Sequence, residues 1–255
     1  MFGFSKTSER AQEFDEGVYT RYKFASKFAK GKTTLDVGCG IGTGSKYLLK
    51  HGAKKVLGID YSEQALQEAM AGAHKGLEFK KDDVLHLSKL GLTFDVVVAF
   101  EIIEHLPLGT FESFVASLKK VTKKGGYCLI STPNKNITSP DREKPYNPYH
   151  TKEFTPEELT VICKKVFKNV ELYGIYCTND NYAASVSQLK NSLWYQFILF
   201  VGSSRFVRAT ISIVPKSWRG AVTGEKTLPE LSENDYAISK RYIKKSINLV
   251  AVCKN

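Results

Sequence analysis

Two hydrophobic periodicities alternate along most of this chain. Short apolar runs at TTLDVGC (33–39), KVLGID (55–60), FDVVVAF (94–100) and GGYCLISTP (125–133) have the look of strands buried on both faces. LEFKKDD (77–83) is a weaker run of the same kind, and VELYGIY (170–176) and INLVAVC (247–253) complete a set of seven. Between them, SKYLLKHG (45–52), SEQALQEAMAGAH (62–74), TFESFVASLKKVT (110–122) and TPEELTVICKKVF (155–167) repeat apolar residues at helical spacing. Ser62 and Thr155 are the predicted N-caps, the latter followed by Pro156 at the first helical position. Strand alternating with helix predicts an α/β fold with a mostly parallel sheet and helices on both faces. Residues 1–32 read as a helical lead-in, 33–176 as the core, 177–235 as an insertion, and 236–255 as a final helix/strand returning to the sheet. No internal repeat is present.

Composition narrows the class. A chain of 255 residues, 42% apolar and 25% charged, can fold as one domain without disulfides or structural metals, so 1–255 is read as a single domain. Disorder, collagen and coiled coil are excluded. The five cysteines (Cys39, Cys128, Cys163, Cys177, Cys253) are scattered and odd in number, which fits free thiols in a reducing compartment. The first residues, MFGFSKTSERAQEF, carry charge where a secretory signal needs an apolar run. The longest uncharged apolar stretch, 191–204, is shorter than the roughly 20 residues that span a bilayer. The expectation is a cytoplasmic protein, peripheral to a membrane at most.

Net charge changes the picture only once it is divided. The chain carries +11, which asks for an anionic partner. Residues 1–176 hold +5 of it and residues 177–255 hold +6. Residues 181–224 contain five Lys or Arg, both tryptophans and no Asp or Glu. Three readings of that segment stand: a helical insertion covering the substrate, a contact with an anionic membrane or a lipid- or phosphate-linked acceptor, and an RNA contact with aromatics stacking on bases.

The chemistry starts where the first strand turns into a helix, at LDVGCGIGTGS (35–45). Gly38, Gly40, Gly42 and Gly44 are spaced by two, unlike the G-x-G-x-x-G of dinucleotide sites. Asp36 stands two residues before the first glycine, and its natural partner is an ammonium group. Asp60 ends the second strand, where a carboxylate can accept from both hydroxyls of a ribose. EIIEHL (101–106) follows the fourth strand. Glu101, Glu104 and His105 stand at i, i+3 and i+4, so one helical turn would put all three on one face. Two carboxylates and an imidazole so placed make half of a divalent-metal site.

These segments, with VLGIDYSEQAL, FKKDDVL, FDVVVAFEIIEHL, GGYCLISTPN and NPYHTKEFTPEEL, resemble class I S-adenosylmethionine (SAM)-dependent methyltransferases in order and spacing. The resemblance implies a Rossmann-like fold and SAM as cofactor. It implies contacts to SAM from the glycine loop (Asp36, Gly38, Gly40, Gly42), from Asp60 and Tyr61, from Asp83 and Val84 toward the adenine, and from Phe100. Asp82 is the rival of Asp83. Arg21 and Tyr22 would lie over the methionine part.

Glu-x-x-Glu-His is similar to the arrangement in ubiquinone-pathway O-methyltransferases and in plant small-RNA 3′-terminal ribose methyltransferases. In the latter a later histidine completes a metal site, and His150 stands in that place. The implied metal set is Glu101, Glu104, His105 and His150, with Mg²⁺ or Mn²⁺, and the implied catalytic residues are His105, Glu104 and Glu101. Without a metal, His105 is the candidate base, oriented by Glu104. Asn134 and Lys135 read either as acceptor contacts or as a polar turn. The expected reaction is O-methylation. A saccharide or other small-molecule hydroxyl comes first as acceptor, a quinone or phenol second, and an RNA ribose 2′-hydroxyl third. The reading from a different class is a SAM-binding partner subunit without turnover.

Overall fold

The computed structural model of the chain describes residues 16–140, 142–178 and 235–255. By its contacts the chain divides into two compact units, residues 1–176 with 237–255, and residues 177–236. The helical insertion expected at 177–235 lies almost wholly outside the described residues, as does 181–224. Among the described residues no helix is long and apolar enough to cross a membrane.

Strands β1 (Thr33–Val37), β2 (Lys55–Asp60), β3 (Leu77–Lys81), β4 (Phe94–Phe100), β5 (Thr122–Pro133), β6 (Asn169–Cys177), β7 (Tyr236–Ser239) and β8 (Asn248–Lys254) form one sheet. Their order is β3-β2-β1-β4-β5-β8-β6-β7. Neighbours from β3 to β5 run parallel, whereas β8 is antiparallel to both β5 and β6. The expected Rossmann-like architecture is present, with one correction: the sheet has eight strands rather than seven. The added strand, β7, has only four half-buried residues, too few to leave a periodic signal.

The helices are α1 (Glu16–Ala29), α2 (Thr43–Lys50), α3 (Glu63–Met70), α4 (Phe111–Val121), α5 (Lys135–Thr138) and α6 (Pro156–Lys164). Ser62 caps α3 by accepting from the Ala65 amide at 3.2 Å. Thr155 caps α6 in a reciprocal box with Glu158. Alternation along the strands feeds two faces. Leu35, Val37, Val97, Ala99, Cys128 and Ile130 pack with Phe114, Leu118, Leu159 and Phe167 of the α4–α6 side. Thr34 and Asp36, one residue out of phase, turn toward α1 and α2. Strand order reverses between β1 and β4, which opens a crevice at their carboxyl ends, the usual ligand position in such sheets.

Candidate functional site

A cavity of about 530 Å³ lies at that crevice. The turn after β1, the end of β4 and the face of α1 line it, through residues that include Gly38, Gly40, Gly44, Arg21, Phe100 and Glu101. Two glycines are required by close packing. Gly38 has φ +72°, and a Cβ there would run into Ile102. A Cβ on Gly44 would run into the ring of Tyr22. The loop is thus pressed against the α1 aromatic that roofs it, and Tyr22 meets Phe100 edge-on at 5.1 Å.

The carboxylates around this cavity are not disposed as the sequence suggests. Asp36, expected to face an ammonium group, is fully buried. It accepts from the Tyr22 hydroxyl at 2.9 Å and the Ser45 hydroxyl at 2.6 Å, and it does not line the cavity. Burial pushes its acid up to about 6, against the pull of those two hydrogen bonds. Asp60 braces the loop, one oxygen accepting from the Gly40 amide and the other from Ser62, both at 2.8 Å. Each oxygen keeps a further lone pair for a hydroxyl donor. Gly42 caps α2 in a left-handed conformation, with Phe79 against it.

Asp83 caps the 3-10 turn Val84–Leu90, accepting from the Leu85 amide at 2.9 Å, and sits 3.0 Å from His86 Nδ1. Asp82 accepts from Lys80 and from the Asp83 amide. Tyr61 is 70% exposed, and Val84 packs partly on the core. None of Gly42, Asp60, Tyr61, Asp82, Asp83 and Val84 lines the cavity, although each is an expected cofactor contact. Glu68 of α3 does line it, which the pattern does not reveal, because its spacing marks only an exposed helical carboxylate.

EIIEHL is not one helical turn. Glu101 has φ +56°, and a short 3-10 turn begins only at Ile103. Glu101 is therefore held apart from the other two. Its carboxylate accepts from Ser131 at 2.7 Å and Asn248 at 2.8 Å, and lies 3.9 Å from the buried Arg21 guanidinium. Glu104, His105 and His150 do come together, with one ligand atom of each within 4.8 Å of the others. The four-residue set expected from the sequence is thus a group of three, with Glu101 outside it on the cavity wall.

Glu104 is wholly buried. Its Oε2 accepts from Thr132 at 3.0 Å, while its Oε1 has no hydrogen-bond partner and lies 4.0 Å from His105 Nε2. Burial, and next the charge of Glu101, hold its acid well above the usual carboxylate range. Burial also lowers His105, with His150 adding to it and the Tyr149 carbonyl opposing. A carbonyl can only accept, so at 3.0 Å from Tyr149 O the His105 Nδ1 carries the proton, and Nε2 keeps its lone pair in the neutral ring. His150 Nδ1 stands 2.7 Å from Glu153 Oε1, a buried carboxylate. Burial alone would raise Glu153, but hydrogen bonds from His150, Thr138 and Ser139 outweigh it and hold it low. Asn147 Nδ2 is 2.9 Å from His150 Nε2. Asn134, one candidate acceptor contact, is instead buried and structural: it caps α5 and donates to the carbonyls of Ile243 and Ser246.

Residues 34–126 match the family described as methyltransferase domain. Over 146 residues the chain is 37% identical to a probable S-adenosylmethionine-dependent methyltransferase of Mycolicibacterium smegmatis, covering 55% of this chain and 53% of that protein. Over 111 residues it is 36% identical to a ubiquinone biosynthesis O-methyltransferase of Coxiella burnetii, covering 42% and 46%. The chain spans about half the length of the curated relatives it matches. Its fold is similar to that of a SAM-dependent methyltransferase from Archaeoglobus fulgidus, with a TM-score of 0.59 at 18% identity over 94% of both chains.

Proposed function

We propose that this chain, whose residues 34–126 match a methyltransferase domain, is a class I methyltransferase that transfers the methyl group of SAM to a hydroxyl oxygen. The cavity suits the cofactor in size and position, and its floor is backbone that no Cβ obstructs. The glycine loop, Asp60 and Arg21 would hold SAM, which when bound supplies an electrophilic methyl on a sulfonium.

The observation that carries the hydroxyl reading is the buried, unpartnered Glu104 oxygen beside the lone pair on His105 Nε2. An alcohol is a poor nucleophile until its proton is drawn off. His105, lowered below an ordinary imidazole, is neutral at pH 7 and free to accept that proton. Glu104 Oε1, 4.0 Å from His105 Nε2, is the group beside which the imidazolium would form. Glu101, pinned by Ser131 and Asn248, fixes the wall between cofactor cavity and acceptor group. The same donors, one carboxylate and two imidazoles anchored through Nδ1, fit a divalent ion such as Mg²⁺ or Mn²⁺, which would lower the pKa of a bound hydroxyl. The Coxiella burnetii relative, an O-methyltransferase by name, supports oxygen as the acceptor atom. Within that class a saccharide or other small-molecule hydroxyl is the proposed substrate.

The test is turnover of labelled SAM against saccharide, phenol and RNA acceptors, with and without EDTA. Loss of activity in EDTA and its return with Mn²⁺ is the expected result. Activity that ignores EDTA but disappears in His105→Ala leaves proton acceptance by His105 alone. SAM binding with no turnover on any hydroxyl pool would overturn the reading in favour of a non-catalytic subunit.

A further inference from the structure

The sheet has a second end, opposite the cavity. Parallel strands bring their amino ends there, and the antiparallel β8 brings its carboxyl end. Lys32 precedes β1, Lys54 precedes β2, Lys124 lies at the start of β5, Lys168 precedes β6, and Lys254 ends β8. The register ties them to one edge: Thr33 pairs with Lys55, Phe94 with Thr122, and Lys254 with both Tyr127 and Asn169. The Lys54 amide donates to the Lys32 carbonyl at 2.9 Å. All five lysines are exposed, and none forms an ion pair among the described residues. The acids on this edge, Glu78 and Asp95, are already neutralised by two further lysines, Lys55 and Lys123. Lys32, Lys54, Lys124 and Lys168 follow the carboxyl ends of α1, α2, α4 and α6 by three or four residues, beyond the last helical turn in which a dipole is complemented.

Strands about 4.8 Å apart make this row about 24 Å long from β2 to β6. At its middle, in the turn leading into β4, stands Leu92, 55% exposed. We propose that this lysine-lined edge docks the protein on an anionic lipid bilayer, leaving the cavity at the far end open. A row of ammonium groups flanking one exposed leucine matches a surface that is negative at its headgroups and apolar just below. Nucleic acid suits it less well. The aromatic at this edge, Tyr127, is half-buried, with Phe28 5.0 Å from its ring and the Lys254 ammonium 5.8 Å over it, so it is already packed rather than open to a base. Among the described residues, arginine, the residue fitted to bidentate phosphate contacts, is absent from it.

The experiment is co-sedimentation of the full chain with vesicles of phosphatidylcholine alone and with about one third phosphatidylglycerol, near physiological salt. Wild type should bind the anionic vesicles only. Each lysine near a charged surface strengthens binding about fivefold. Replacing Lys32, Lys54, Lys124 and Lys168 together by Gln should therefore weaken binding by two orders of magnitude or more. Leu92→Asp should weaken it further, and Lys144→Gln with Lys245→Gln, away from the edge, should change it little. Circular dichroism of each variant should match wild type, since every altered side chain is exposed. Wild-type binding by the fourfold edge variant, no preference of wild type for anionic vesicles, or an edge-dependent preference for an RNA oligonucleotide over vesicles would each overturn the proposal.

Discussion

Asp36 leaves β1 on the side that faces α1 and α2, where, among the described residues, the hydroxyls of Tyr22 and Ser45 donate to it. An ionised carboxylate in that position gives up water for two donors, and its acid is raised from 3.8 to about 6. The protonated form is thereby favoured in the folded state. Its contribution to stability is present in full below the unfolded value and is lost as pH rises through the folded one. The loss between pH 4 and 6.5 is on the order of 3 kcal/mol. Guanidinium unfolding of wild type and Asp36→Asn across that range should give curves that diverge in this direction; parallel curves would show that the buried acid does not titrate there. Gly44 is packed as closely as Asp36. Its missing Cβ is the space taken by the Tyr22 ring, so Gly44→Ala should cost about 1–3 kcal/mol by overpacking and weaken SAM affinity, measured by denaturation and calorimetry. Sequence marks both residues as part of a ligand loop. It does not reveal that Asp36 turns inward, because alternation along a strand names a face without naming what covers it.

The segments between turns behave as their patterns suggest. β2 and β4 occupy the predicted residues, and α3 and α6 start at the predicted caps. For α6 the Thr155 hydroxyl satisfies the Glu158 amide and the Glu158 side chain returns to the Thr155 amide. Thr155→Ala should therefore lower stability by about 1 kcal/mol, read from the denaturation midpoint with an unchanged slope. EIIEHL shows where pattern reading stops. Its i, i+3, i+4 spacing is helical, but the chain must bend sharply off β4, and Glu101 takes a left-handed conformation to do so. Ser131 and Asn248, from two other strands, hold its carboxylate there. A contact made 147 residues away leaves no trace in local periodicity.

For the whole molecule, ligand binding and stability are linked. If the cavity takes the methyltransferase cofactor, its product S-adenosylhomocysteine at about 100 times its Kd should stabilise the folded state by about 2.7 kcal/mol, raising Tm by about 5–10 °C in a chain of this size. No shift with ligand in excess would count against the cofactor assignment independently of any acceptor. Sequence by itself determined the α/β class, most strand and helix positions, the glycine turn, and the two segments that supply Glu104, His105 and His150. These are local properties, written in the period of apolar residues, in capping side chains and in glycine spacing. Tertiary structure decided which of the singled-out residues meet. His150 reaches His105 because Thr151 donates its amide to the Glu104 carbonyl at 2.7 Å, folding a distant loop onto the turn after β4. The same folding keeps Glu101 on the cavity wall and collects exposed lysines from five strands on the opposite edge. Such meetings depend on strand order and register, which arise only when the sheet closes between residues far apart in the chain.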